Sequence, residues 1–191
     1  MKNHLITCPI FARELEAVLP ELGGGPLVKL MDYTVHISPQ VMAAELGLAV
    51  ATARDEGAGV SLLVGRECEC LQPIGELADG CAGSLPRGKN CIEILLGRKP
   101  AEKLQENRTT IITPAWIRMI NNSIADGHWT VEDARLNFGW YDKIILLDVG
   151  LEVLDDELIL EFFELTGVPI EVVAVSLDHF REVVRQLLEE K

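Results

Sequence analysis

The chain has 191 residues, a formal net charge of −13, 48% hydrophobic residues and a mean hydropathy of +0.20. The length is typical of one domain, and the hydropathy excludes an intrinsically disordered chain. The acidity disfavours nucleic acid as a partner, because phosphate binding needs a basic face, and no apolar stretch approaches the roughly 20 residues that cross a membrane.

The first half of the chain alternates apolar runs with segments of helical periodicity. Phe11, Leu15 and Val18 recur at helical spacing, and Ser38-Pro39 has the residue types that open a helix. In chain order we predict a strand over residues 4–8, a helix over 11–19, a strand over 27–36, a helix over 38–57 and a strand over 59–65. The segment over 66–90 is rich in glycine and cysteine and is predicted to be irregular.

The second half continues the alternation of helices and strands. Asn90 is a suitable helix cap, Gly97 a suitable terminator, and Thr130 with Asp133 is typical of a capping box. In chain order we predict helices over 91–96 and 100–106, a strand over 109–113, helices that begin at 114 and 130, a strand over 143–148, a helix over 154–165, a strand over 168–175 and a helix over 178–190.

Alternating strands and helices are typical of an α/β protein with a parallel sheet. We therefore predict one open, mostly parallel, Rossmann-like sheet of about five to six strands, in three layers with helices on both faces. The whole chain, 1–191, is predicted to be a single α/β domain with an irregular cysteine-rich insertion at about 66–90.

The cysteines give the strongest indication of a chemical function in this sequence. Four of the five cysteines, Cys68, Cys70, Cys81 and Cys91, lie close together in the sequence. We recognise no secretory signal and predict a cytoplasmic protein, and in that compartment clustered cysteines indicate metal or redox chemistry. The alternative is a chance cluster of small buried residues, because the spacing matches no standard zinc or ferredoxin pattern.

The cysteine-bearing segments are predicted to meet at one edge of the sheet. Cys8 ends the first strand, Cys68 and Cys70 follow the third, and Cys91 begins a helix whose N-terminus favours a thiolate. Ligands of open parallel sheets bind at the carboxyl ends of the strands, so these sulfur atoms are expected in one crevice. His36 follows the second strand and is a weaker candidate on the same edge.

The segment over 87–108 is net positive in an otherwise acidic chain. Arg87 and Lys89, in a glycine-containing loop before Cys91, are candidates to bind an anionic cluster or a phosphate-bearing ligand. The alternative is a solvated helical surface, which we favour for Lys99 and Lys103.

Five segments resemble the domain of unknown function family 1638: residues 6–15, 62–68, 85–97, 110–117 and, more loosely, 138–147. The most specific part is Pro-Arg-x-x-x-Cys-Ile-x-x-Leu-Leu-Gly over 86–97, followed by Thr-Pro-x-Trp over 113–116. The resemblance implies family cysteines at Cys8, Cys68 and Cys91, but not at Cys70 or Cys81. It also implies a setting in anaerobic archaea and bacteria, often beside corrinoid-dependent methyltransferases, and it transfers this context rather than a reaction.

The chain departs from the family pattern at two places. Where the family usually has Gly-x-Cys-Gly, this chain has Gly-Arg-Glu-Cys-Glu-Cys over 65–70, and where it usually has His-Asp, this chain has Lys89-Asn90. A role that needs the family's histidine is therefore not expected here, whereas ligation by cysteine is compatible with both changes.

Our first hypothesis is a metal-binding protein that carries an iron-sulfur cluster of the 4Fe-4S type. Cys8, Cys68 and Cys91 would be ligands, with Cys70 or Cys81 as a fourth, and zinc is the nearest substitute. One alternative is an accessory protein of corrinoid-dependent methyltransferase systems that binds a corrinoid or a partner protein without a cluster of its own. The other is a small-molecule enzyme with Cys91 as nucleophile. The expected partner is a redox protein or a corrinoid methyltransferase; the catalytic residues and the homo-oligomeric state are left open.

Overall fold

The structure, a computed structural model, describes residues 3–23, 25–36, 39–67 and 85–189. The chain forms two compact units, Met1–Gly97 with Leu177–Lys191, and Arg98–Ser176. Each unit contains three parallel strands and several helices, so the predicted α/β class and parallel pairing are confirmed. Two compact units are compatible with one domain or with two, so the single-domain prediction stays a prediction.

The strands of the described residues are β1 (Asn3–Thr7), β2 (Leu27–Leu30), β3 (Gly59–Leu63), β4 (Thr109–Ile112), β5 (Lys143–Asp148) and β6 (Ile170–Ala174). The helices are α1 (Ala12–Val18), α2 (Pro39–Asp55), α3 (Cys91–Leu96), α4 (Arg98–Leu104), α5 (Pro114–Ala125), α6 (Val131–Phe138), α7 (Asp156–Thr166) and α8 (Asp178–Glu189). Short 3-10 helices cover Pro9–Phe11, Leu19–Leu22 and Tyr33–His36. In the part of the chain that the structure describes, no helix is both long and apolar enough to cross a membrane.

The prediction of one continuous sheet is wrong, because the strands pair in two separate groups. The strand order is β2-β1-β3 in the first unit and β4-β5-β6 in the second. Each central strand is bonded on both sides by the other two strands of its own unit, as the register of Thr7 with Leu30 and with Leu63 illustrates. The apolar runs of the sequence identify strands correctly but do not determine which strands pair.

The first unit packs α2 against one face of its sheet. Ile6 and Leu62 from the strands form a buried cluster with Met42 and Leu46 of α2. α8 contacts β3 and α3, although it is the last helix of the chain. Its Phe180 is fully buried and lies 5.2 Å from Phe11, ring centre to ring centre.

The second unit is built around the aromatic pair of Phe138 in α6 and Phe162 in α7. The two rings meet edge to face at 5.3 Å, an arrangement that the ring quadrupoles favour. Ile144 and Leu146 of β5 belong to the same buried cluster. Full burial of one such large side chain stabilises a fold by about 1.5–3 kcal/mol.

The predicted capping box at the start of α6 is confirmed. The Thr130 hydroxyl accepts a hydrogen bond from the Asp133 N–H, and the Asp133 carboxylate accepts one from the Thr130 N–H. The Thr130 N–H and the Thr130 hydroxyl both donate to this carboxylate, each at 2.8 Å. The two bonds favour the ionised carboxylate, the backbone bond most, and lower the pKa of Asp133 from its ordinary value.

Candidate functional site

The three strands of the first sheet end at the same level, which creates one carboxyl edge. Thr7 is in register with Leu30 on one side and with Leu63 on the other, so the residues that follow each strand leave the sheet together. The edge is tied across by the Met31 N–H, which donates to the Thr7 carbonyl at 2.9 Å. Cys8 directly follows β1 and is 5% exposed.

A histidine lies beside this cysteine. The Sγ atom of Cys8 is 2.7 Å from Nε2 of His36, although the two residues are far apart in sequence. A local turn brings the histidine there: the Asp32 carboxylate accepts a hydrogen bond from the Thr34 N–H at 2.9 Å, and the chain then enters the 3-10 helix Tyr33–His36. This side-chain hydrogen bond is the Asx-turn pattern, which competes with strand extension. Strand β2 therefore stops at Leu30, short of the predicted end at residue 36.

The separation of Cys8 and His36 is that of a hydrogen-bonded pair. Either the thiol donates to a neutral imidazole or a protonated imidazole donates to a thiolate, and the tautomer decides which. Two ligands of one tetrahedral zinc, at the usual zinc–sulfur and zinc–nitrogen distances, would lie about 3.6 Å apart. A metal bound by both atoms would thus require them to separate by about 1 Å.

Cys91 lies at the same edge, as its position in the sequence suggests. It is the first residue of α3, and the Asn90 side chain caps this helix by accepting from the Glu93 N–H at 3.0 Å. The segment before it is bonded to the residues that follow β3, since the Glu67 N–H donates to the Lys89 carbonyl at 2.8 Å. Cys91 is half-buried. The sequence predicts that the helix N-terminus favours a thiolate at Cys91. Because α3 has only six residues, this dipole effect comes from a short helix.

Close backbone contact holds α3 against the end of β3. A Cβ atom at Gly65 would lie 2.6 Å from the Asn90 Cα and from the Lys89 carbonyl oxygen, closer than real side chains approach. Only glycine fits at this position, which explains the Gly65 of the sequence without any turn or positive φ.

The two basic candidates have different surroundings. Lys89 forms an ion pair with Glu67, with 3.2 Å between Nζ and Oε2, and both side chains are about half exposed. Such an exposed pair contributes little stability. Arg87 is exposed in the loop before α3. Anion binding by Arg87 and Lys89 stays a prediction.

Three of the predicted metal ligands, Cys68, Cys70 and Cys81, lie outside the described residues. Over the described ranges, no three side chains of the histidine, cysteine, aspartate and glutamate types are arranged to hold a metal ion. The structure brings Cys8 and Cys91 to one edge and adds His36 as the contact of Cys8. The sequence predicts His36 on this edge but does not identify it as a ligand, because no local spacing links it to a cysteine.

The fold and the site define an α/β protein with parallel sheets and a cysteine–histidine pair at a carboxyl edge. Residues 30–184 match the family described as "Protein of unknown function (DUF1638)", and the chain belongs to this family. The match includes His36, Cys68 and Cys91 and begins after Cys8. No curated protein and no solved structure matches the chain.

Proposed function

We propose that the carboxyl edge of the first sheet binds a metal centre, with the thiolates of Cys8 and Cys91 and the imidazole of His36 among its ligands. The observation that carries the proposal is the 2.7 Å contact between Cys8 Sγ and His36 Nε2. Thiolate and imidazole are side-chain donors that both zinc and iron use in proteins. Their side-by-side position at the edge where parallel sheets bind ligands supports a centre there.

The donor types suit both metals named from the sequence. An iron-sulfur cluster of the 4Fe-4S type is the first identity, because such clusters are held chiefly by cysteine thiolates and histidine replaces cysteine in some. Zinc is the second identity. Cys68 directly follows Glu67 in the sequence and is the proposed additional donor, with Cys70 or Cys81 as a fourth.

The surroundings of Cys8 indicate what the chain contributes to such a centre. Cys8 is 5% exposed, and the neighbouring Thr7 and Val64 are 0% and 1% exposed, so water has little access to the sulfur. A metal bound there would supply electron transfer if it were an iron-sulfur cluster, or Lewis acidity if it were zinc. Cys8 and His36 would hold the metal, and the buried residues beside Cys8 would keep solvent away from it.

The test is metal analysis of the full chain after anaerobic purification, with an absorption spectrum and reconstitution with iron and sulfide or with zinc. We expect stoichiometric metal in the wild-type chain. Cys8→Ala and His36→Ala should each weaken binding at least about tenfold, whereas His128→Ala, at an exposed histidine of the second unit, should not. A colourless preparation that retains and takes up neither iron nor zinc would refute the proposal.

A second candidate is a thiol enzyme, because the sulfur–nitrogen distance is shorter than two ligands of one zinc would give. Cys8 would then be the nucleophile and His36 the base that activates it, the pairing typical of cysteine enzymes. Sequence reasoning favours Cys91 as nucleophile, whereas the histidine contact supports Cys8. Alkylation of metal-free protein distinguishes Cys8 from Cys91 as the activated thiol. His36→Ala should slow the labelling of Cys8 at mildly acidic pH and leave the labelling of Cys91 unchanged.

A further inference from the structure

We infer that Arg66 is a positioning residue that sets the location of Cys91, an inference that rests on the proposed metal site. Arg66 lies just after β3, and its side chain reaches across to the segment that leads into α3. Its Nε donates to the Pro86 carbonyl at 2.7 Å, and its Nη2 donates to the Leu85 carbonyl at 3.1 Å. The guanidinium therefore holds two consecutive peptide groups at once.

The main chain reinforces this connection. The Arg66 N–H donates to the Gly88 carbonyl at 3.1 Å, next to the bond between Glu67 and Lys89 described above. Gly88 also lets this segment pack closely against α3, since a Cβ there would lie 2.7 Å from Cγ1 of Ile94. Side-chain and backbone bonds thus fix the segment 85–89, and Asn90 and Cys91 follow it directly.

The chemistry of this contact requires arginine. The two acceptors are neighbouring carbonyl oxygens, and the planar guanidinium presents separate N–H groups to each in a fixed fork. A lysine ammonium is a point charge that can satisfy one of the two carbonyls well. Because both acceptors are neutral, salt should weaken the contact less than it weakens an exposed ion pair.

Arg66 is not itself proposed as a ligand of the metal. It acts through residues 85–90, which determine how far the Cys91 sulfur lies from the Cys8–His36 pair. Removal of a residue that orients a metal ligand without binding the metal itself typically lowers metal affinity by 10–100-fold. The sequence predicts functional roles for Arg87 and Lys89 in this region, whereas the contacts indicate Arg66.

The test compares Arg66→Ala and Arg66→Lys with Arg54→Ala, a control at an exposed arginine in the last turn of α2. The first readout is the alkylation rate of each cysteine in metal-free protein, resolved by peptide mass spectrometry. We expect Cys91 to react at least about tenfold faster in Arg66→Ala, because both charge-assisted hydrogen bonds to the Leu85 and Pro86 carbonyls are lost. Cys8 should keep its wild-type rate, and Arg66→Lys should be intermediate.

The second readout is cobalt(II) titration, in which the thiolate-to-cobalt absorption band reports the number of bound thiolates. We expect Arg66→Ala to bind cobalt about 10–100-fold more weakly, with a smaller band at saturation. If wild-type protein binds no metal but Cys91 is selectively accelerated in Arg66→Ala, the metal proposal fails and the role of Arg66 stands. The inference is wrong if the alkylation rates of Cys8 and Cys91 in Arg66→Ala both match those in Arg54→Ala. It is also wrong if both cysteines react faster together in Arg66→Ala.

Discussion

Replacing Gly65 by alanine tests the packing that brings Cys91 to the edge of the sheet. The added Cβ would lie 2.6 Å from both the Asn90 Cα and the Lys89 oxygen. Carbon atoms pack best at about 3.5–4.0 Å, so the 89–90 backbone must move by about 1 Å. Both obstacles are backbone atoms, so no side chain can rotate away to relieve the overlap.

The magnitude follows from three contributions. Overpacking costs about 1–3 kcal/mol, and weakening the bond from the Glu67 N–H to the Lys89 carbonyl costs about 1 kcal/mol more. The smaller conformational freedom of alanine in the unfolded chain returns about 0.4–1 kcal/mol. We therefore expect Gly65→Ala to destabilise the protein by about 2 kcal/mol, a fall of about 4–8 °C in Tm for a chain of this length.

Thermal unfolding followed by far-ultraviolet circular dichroism is the appropriate assay, because all three tryptophans lie in the second unit. Gly25→Ala is the matched control: its Cβ would meet Leu19 at 3.6 Å, an ordinary contact, and Tm should change by no more than about 2 °C. If Gly65→Ala melts at the same temperature as the control, the close contact between β3 and α3 is not a feature of the folded protein.

Two further predictions concern the second unit. Phe162→Ala should lower the free energy of unfolding by about 3–5 kcal/mol, since Phe162 is fully buried, whereas Phe163→Ala, at a ring 42% exposed, should cost less than about 1.5 kcal/mol. Urea unfolding followed by tryptophan fluorescence measures both, and equal losses would contradict the burial of Phe162. The lowered pKa of Asp133 means that its carboxylate stabilises the fold above its ordinary pKa of 3.8 and loses this effect as pH falls through the folded value. The Tm difference between wild type and Asp133→Asn should therefore be constant above about pH 5 and shrink in more acidic buffer; a difference that does not depend on pH would contradict the contact with Thr130.

Local signals in the sequence are strong enough to predict most elements. The predicted strand over 143–148 matches β5 at both ends, and α3 begins and ends where Asn90 and Gly97 predict. The helix predicted from Ser38-Pro39 runs over Pro39–Asp55. These elements depend on caps, terminators and apolar runs, which act over only a few residues.

The division of the strands between two sheets could not be predicted in this way. Buried parallel strands are all short apolar runs, so the composition of β3 does not reveal whether β1 or β4 is its neighbour. Pairing is decided by long-range contacts, such as the packing of α8 on β3. The contact between Cys8 and His36 has a different origin, because it depends on the local turn at Asp32, which ends β2 at Leu30 and positions the imidazole. Apolar composition alone extends this strand past the turn.

The return of α8 to the first unit has a consequence for the order in which the chain folds during synthesis. The second unit, Arg98–Ser176, is continuous in sequence, and every strand and helix it contains has been made before α8 exists. The first unit is synthesised earlier but must wait for Phe180 to reach Phe11. Until Leu177–Glu189 leaves the ribosome, the apolar surface that α8 covers on β3 and α3 stays open to solvent. The unit that carries the cysteine–histidine pair therefore begins to be made before the second unit and is completed after it.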